Sequence, residues 1–173
     1  NASLSNILGA ISEEAVFIAS QTNIATNYPG YGWGGTLTEV DPTEMYLLEM
    51  SSPNTLTISG IPVDVTSTPI SLIEGWNWIS YLPQNPGDIS SALASISDNA
   101  AFIASQSSGI ANNYIDLGYG WSGSLETLEP GNGYLLEMNA ADELIYPEFE
   151  GGMARALNKQ EVILSEAIED WDF

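Results

Sequence analysis

Three pairs of carboxylates recur at matched places along this chain: Glu13 with Asp98, Asp41 with Glu129, and Glu49 with Glu137. Two carboxylates flanking a glycosidic bond are the working parts of a glycosidase, one as acid and the other as base or nucleophile. Little other catalytic chemistry is open. The sequence has no His and no Cys, which removes Ser-His and Cys-His nucleophile–base pairs and zinc sites built on those ligands. The acids recur because the sequence around them recurs, so ancestry explains them better than a shared active site. A non-enzyme is expected, with no catalytic residue assigned and an acid-pair glycosidase as the remote alternative. Acidic turns at Asp41–Glu44 and Glu126–Glu129 offer weak Ca2+ sites. No D-x-D-x-D-G loop is present, so no metal ligand is assigned.

Aromatic residues recur in the same way. "NYPGYGWGGTL" (Asn27–Leu37) is matched by "NYIDLGYGWSGSL" (Asn113–Leu125). In strand geometry Tyr31 and Trp33 share one face, as do Tyr119 and Trp121. Two readings follow. The rings, with Asn27 and Asn113 beside them, form a sugar-stacking platform. Alternatively they are core, with Trp76 and Trp78 filling the bare face left by the intervening glycines. Packing is the stronger expectation.

Both clusters belong to an internal repeat. Leu4–Gln21 aligns without a gap on Ile89–Gln106, with 10 of 18 positions identical. Three extra residues enter the second copy, after which Tyr31-Gly32-Trp33 falls on Tyr119-Gly120-Trp121. "MYLLEM" (Met45–Met50) then falls on "GYLLEM" (Gly133–Met138), and Leu56 on Leu144. Each copy opens on a helical apolar stripe, Leu4, Ile7, Leu8, Ile11 or Ile89, Ala92, Leu93, Ile96. Ser3 and Asp88 stand ahead as N-caps. Strand-like runs and turns follow. The fold class expected is α+β, mostly β: two tandem homologous small modules, each with several antiparallel-type strands and one short helix.

The second copy also owns an upstream strand, "SLIEGWNWISYLP" (Ser71–Pro83), which has no counterpart before Asn1. The boundaries expected are module 1 over 1–60, lacking its first strand, a linker over 61–69, a complete module 2 over 70–147, and a tail over 148–173. A sheet short of one strand leaves an open row of backbone groups that invites pairing with another chain. The tail is a possible donor strand or the start of a further module, with Val162, Leu164, Ile168 and Trp171 as its assembly residues.

Charge narrows the partners. The 23 acidic residues face only Arg155 and Lys159, for a net charge of −21. Nucleic acid is not expected, since its binding rests on Lys and Arg contacts to phosphate. Anionic membrane surfaces are disfavoured likewise, and no apolar run is long enough to span a bilayer. The abundance of Ser, Thr, Asn and Gly suits an extracellular or cell-surface protein. Asn1-Ala2-Ser3 is the single N-glycosylation triplet.

The string from "GWNWISYLPQ" through "GYGWSGSLETLEPGNGYLLEM" to "LIYPEF" (Gly75–Phe149) resembles a module repeated in very large secreted and surface proteins of bacteria. In such modules a "GWNWI" strand opens the unit and a "GYLL" strand nearly closes it. The resemblance covers the second copy and, without its opening strand, the first. It implies an extracellular, multi-module, non-catalytic setting and carries over no site residue. The function expected is a structural repeat unit of a surface fibre or adhesin, assembling head to tail by strand complementation with neighbouring copies or adjoining modules. The alternative is a carbohydrate-binding module that takes glycans on Asn27, Tyr31, Trp33, Asn113, Tyr119 and Trp121.

Overall fold

A computed structural model describes residues 2–149 and the backbone of 158–164. Among the described residues the chain is mostly β, with two short α-helices. It divides into two compact units. Among the described residues, unit 1 gathers 2–41, 46–61 and 158–164, while unit 2 gathers 42–45 and 62–149.

Unit 1 begins with β1 (Ala2–Ser3), α1 (Leu4–Ile7), β2 (Ala15–Ala19), β3 (Ile24–Tyr28) and β4 (Gly32–Gly35). It continues through β5 (Glu39–Val40), β6 (Leu47–Met50) and β7 (Asn54–Gly60). Its main sheet has the order β4-β3-β2-β6, and β1 pairs with β5. Unit 2 contains β8 (Ile70–Leu72), β9 (Gly75–Ser80), β10 (Gly87–Asp88), α2 (Ile89–Ala92), β11 (Ala100–Ser105) and β12 (Gly109–Asn113). After these come β13 (Trp121–Gly123), β14 (Thr127–Leu128), β15 (Gly133–Met138) and β16 (Asp142–Leu144). Its main sheet runs β13-β12-β11-β15-β9, flanked by the ribbons β10-β14 and β16-β8. The last described strand, β17 (Asn158–Leu164), pairs antiparallel with β7.

Period-2 alternation builds the sheet faces. In β15, Tyr134, Leu136 and Met138 are buried while Leu135 and Glu137 face outward, as "GYLLEM" predicts. The expected helix is shorter than its apolar stripe. After Ile7 the chain leaves α geometry at Leu8 and makes a 3-10 turn over Gly9–Ile11. Glycine is not the cause, because the same break occurs at Leu93, where Ala94 follows. A 3-10 turn aligns residues three apart, which lets Leu8 and Ile11, or Leu93 and Ile96, enter one core together. Of the two expected N-caps only Asp88 acts with its side chain, accepting from Ser91 N at 3.1 Å, while Ser3 makes no such bond.

The expected single strand over Ser71–Pro83 is two strands in two different sheets. The bend between β8 and β9 is held by the buried Asn77. Its Oδ1 accepts from Ile73 N at 2.9 Å, and its Nδ2 donates to Ile73 O at 2.8 Å and Gly75 O at 3.0 Å. An amide satisfied on both ends can sit in an apolar core at little net cost. Pro42–Met45 runs along the other edge of β9, with Glu44 bridged to Ile79 and Ser80 N donating to Thr43 O at 3.4 Å.

The compact units differ from the sequence boundaries in four places. Pro42–Met45 packs with unit 2, and β17, inside the expected tail, pairs with β7 of unit 1. Within 61–69, Val65 is buried in the core of unit 2, beside a turn in which Asp64 Oδ1 accepts from Thr66 N at 3.0 Å and Thr66 Oγ1 at 2.7 Å. Phe149, inside the expected tail, packs against the same core and stacks on Tyr81 with ring centroids 6.5 Å apart.

One contact appears in both units with its chemistry exchanged. In unit 2, Asn99 Nδ2 donates to Asp142 Oδ2 at 2.9 Å. In unit 1, Asn54, aligned with Asp142, donates to Glu14 Oε2 at 2.9 Å, and Glu14 is aligned with Asn99. The bond from Asn99, and then one from Glu143 N–H, holds the Asp142 carboxyl below the usual Asp range. Asn99→Glu alone sets two carboxylates against each other and is expected to cost about 1 kcal/mol. Adding Asp142→Asn restores an amide–carboxylate pair and should recover most of that loss in a urea-unfolding double-mutant cycle.

The core of unit 2 also predicts its alkaline limit. Tyr81, Tyr134 and Tyr146 are all buried. Tyr81 and Tyr146 meet edge-on at 5.2 Å, and their hydroxyls donate to Asn85 O and Ser80 O, each at 2.9 Å. Burial, first of all, raises each phenol above its ordinary value, and the neighbouring phenols add to this for Tyr81 and Tyr146. A raised folded pKa gives stability that is whole below the unfolded tyrosine value, about 10, and is lost as pH rises through the folded value. Unfolding followed from pH 8 to 12 should therefore show stability falling above about pH 10. Tyr146→Phe should reduce the steepness of that fall by about one proton.

Candidate functional site

The matched aromatic clusters lie on the hairpins β3–β4 and β12–β13. Each hairpin splits its Tyr from its Trp. Tyr31 is 94% exposed and Tyr119 81%, whereas Trp33 and Trp121 pack against their cores. The expected shared face is thus not formed. The cause is the glycine between them: Gly32 has φ +82° and Gly120 φ +69°. A left-handed residue breaks the period-2 alternation of a strand. Tyr31 sits in a turn, its N–H donating to Tyr28 O at 2.9 Å, and Tyr119 N–H donates to Tyr114 O at 3.2 Å. Two of the three extra residues of the second copy enter this turn, which holds a 3-10 segment, Ile115–Leu117.

Asn27 and Asn113 are engaged elsewhere. Asn27 Nδ2 donates to Ser12 O at 2.5 Å and Ala15 O at 2.9 Å. Asn113 Nδ2 donates to Ser97 O at 2.7 Å and Ala100 O at 2.8 Å. Each amide ties its hairpin to the loop between the helical turn and the following strand. Asn27 stands across from Trp33 in register, and Asn113 from Trp121. Trp33 Nε1, Trp121 Nε1 and Asn113 Oδ1 are buried with no protein partner among the described residues. These polar atoms point inward, away from any surface a sugar would use.

Trp76 and Trp78 do not fill the space beside Trp121, as the packing expectation held. They lie on β9, at the opposite edge of the five-stranded sheet from β13. Trp76 instead meets Phe102 edge-on, with centroids 5.8 Å apart and planes at 83°. The residue that brings another backbone close is one the aromatics obscured. A Cβ on Gly123 would overlap Ile110 O and lie 2.6 Å from Ala111 Cα. One on Gly35 would overlap Ile24 O and lie 2.8 Å from Ala25 Cα. Gly35 and Gly123 align with each other, and that recurrence was the available signal.

The matched acids occupy three separate places within each unit. Glu13 and Asp98 sit in the exposed turn after the helical segment. Glu49 and Glu137 face outward from β6 and β15. Asp41 and Glu129 lie where a tyrosine hydroxyl accepts their backbone N–H: Tyr46 for Asp41 at 2.7 Å and Tyr134 for Glu129 at 2.8 Å. Among the described residues, no group of three or more acids gathers to hold a metal ion.

Of the assembly residues, Val162 and Leu164 lie on β17, opposite Leu56 and Asn54. Ile168, Trp171 and the glycosylation candidate Asn1 lie outside the described residues. No helix among the described residues is long and apolar enough to cross a membrane. No family model, curated protein or solved structure matches the chain.

Proposed function

We propose that the chain is a non-catalytic structural repeat unit of an extracellular surface fibre or adhesin. It consists of two tandem homologous modules and joins its neighbours by strand complementation. One observation carries this reading: residues that recur in both units do the same structural work in each. Asn27 and Asn113 tie the hairpin to a loop, Trp33 and Trp121 line the core, and Tyr46 and Tyr134 brace a turn. Sequence preserved between copies is thereby accounted for by folding, without a shared reaction. The partners proposed are other copies or adjoining modules, with divalent cations such as Ca2+ offsetting the −21 charge.

A second reading, glycan binding, draws on the exposed Tyr31 and Tyr119 with their neighbours Tyr28 and Tyr114. Exposed tyrosines can stack on sugar rings, but here without the indoles or the Asn amides.

Antibody labelling of source cells tests the main reading. Labelling of intact cells, with the antigen recovered in high-mass assemblies, is expected. Labelling only after permeabilisation, or a free monomer in native extracts, would contradict it. Glycan-array binding abolished by Tyr31→Ala with Tyr119→Ala would favour the second reading.

A further inference from the structure

The outer edge of β6 resembles an edge that is already occupied in unit 2. Leu47-Leu48-Glu49-Met50 repeats Leu135-Leu136-Glu137-Met138 residue for residue. Both strands pair on their inner side with an equivalent partner in an equivalent register. Ile18 faces Leu48 and Phe17 faces Glu49, while Ile103 faces Leu136 and Phe102 faces Glu137. Even the irregularity recurs, between Ala15 and Phe17 and between Ala100 and Phe102. On its other side β15 pairs with β9, Leu135 against Trp78 and Glu137 against Trp76. Among the described residues β6 has no strand there.

The neighbouring slot of unit 1 is filled. β17 lies on β7 with Val162 opposite Leu56 and Leu164 opposite Asn54. β8 lies on β16 with Ile70 opposite Leu144 and Leu72 opposite Asp142. β17 thus takes the place of β8, and among the described residues the place of β9 is left.

We propose that the β6 edge is a strand-accepting site selective for a neutral Gly-Trp-Asn-Trp-Ile-Ser-type strand, distinct from the chain's own tail. The strand runs antiparallel, with its Gly opposite Met50, its first Trp opposite Glu49, Asn opposite Leu48 and its second Trp opposite Leu47. Backbone pairing supplies affinity, and side-chain pockets supply selectivity. The pocket for the first Trp is Phe17, which stands where Phe102 receives Trp76 edge-on. The chain's own Ala167-Ile168-Glu169-Asp170-Trp171-Asp172 is a poor fit. In the same register it would put the Glu169 carboxylate opposite Leu48, at the position where Asn77 is buried, and would add acids beside Glu49.

This inference rests on the structural-unit reading, but its test is separate from that reading's cell labelling. A synthetic peptide spanning Leu72–Leu82 is added to the full chain and amide hydrogen exchange is followed. The outward-pointing amides of Leu47–Met50 are expected to exchange fast in the free protein and at least tenfold more slowly with peptide. A peptide with both Trp replaced by Ala should lose the effect. Phe17→Ala in the protein should weaken peptide affinity severalfold while leaving exchange elsewhere unchanged. Slow exchange of these amides in the free monomer would mean that the chain's own tail fills the edge. No protection at saturating peptide would mean that the edge accepts no such strand. Either result overturns the proposal, and neither touches surface location.

Discussion

Gly123→Ala is expected to destabilise unit 2 by about 3 kcal/mol, near the upper end for overpacking a closed site. The added methyl would meet Ile110 O and Ala111 Cα. Those are backbone atoms of the paired strand, which cannot rotate away as a side chain can. β13 must then lift from β12, and Trp121, its inward residue, loses its packing on the core. Gly35→Ala should do the same to unit 1 through Ile24 O and Ala25 Cα. Gly118→Ala makes a useful contrast. Its Cβ meets nothing within 4 Å, so only the strain at φ +77° applies, about 1 kcal/mol. Urea unfolding, monitored by tryptophan emission, should rank the variants in that order.

Asn113→Asp is expected to cost about 3–5 kcal/mol at pH 7, the range for a buried charge left without its partner. The native amide donates to two carbonyl oxygens, of Ser97 and Ala100. A carboxylate has no proton to donate, and it would face both oxygens from a site where Asn113 Oδ1 is already buried. Asn113→Ala removes the same bonds without adding a charge and should cost about 1–3 kcal/mol. The two variants differ in pH dependence. Repulsion and burial raise the folded pKa of the introduced acid above its unfolded value of about 4. Its penalty is therefore smallest below pH 4 and grows as pH rises through the folded value. Between pH 7 and pH 4 the Asp variant should gain stability relative to the Ala variant. Parallel loss of that trend in Asn27→Asp is not expected, since Asn27 makes the equivalent pair of bonds.

Much of this fold was legible from residue types alone. The alternation in "GYLLEM" identified Tyr134, Leu136 and Met138 as core, and the stripes placed Leu4, Leu8 and Ile11 or Leu93 and Ile96 inside. What sequence reasoning missed depends on single backbone angles or on pairing between distant strands. Strand periodicity puts Tyr31 and Trp33 on one face because it assumes φ is negative throughout. Gly32 and Gly120 are positive, and the rings part. Periodicity leaves Trp76 and Trp78 free to stand beside Trp121, because it does not carry the strand order within a sheet. "SLIEGWNWISYLP" read as one strand because nothing in its apolar pattern marks a bend. The mark is Asn77, a polar residue between two tryptophans whose amide closes the corner. In the candidate site, the Asn residues invited a ligand reading because local sequence does not reveal the Ser12, Ala15, Ser97 and Ala100 carbonyls they reach.

The central claim is that the recurring aromatic clusters build the fold and bind nothing through their tryptophans. The most direct test is proton exchange at the indole N–H groups of Trp33 and Trp121, observed by 15N NMR with and without a panel of oligosaccharides. Slow exchange at both indoles, unshifted by any sugar, is predicted from their burial. Fast exchange, together with saturable shifts of both resonances by one saccharide, would contradict the claim and make the two hairpins a binding surface.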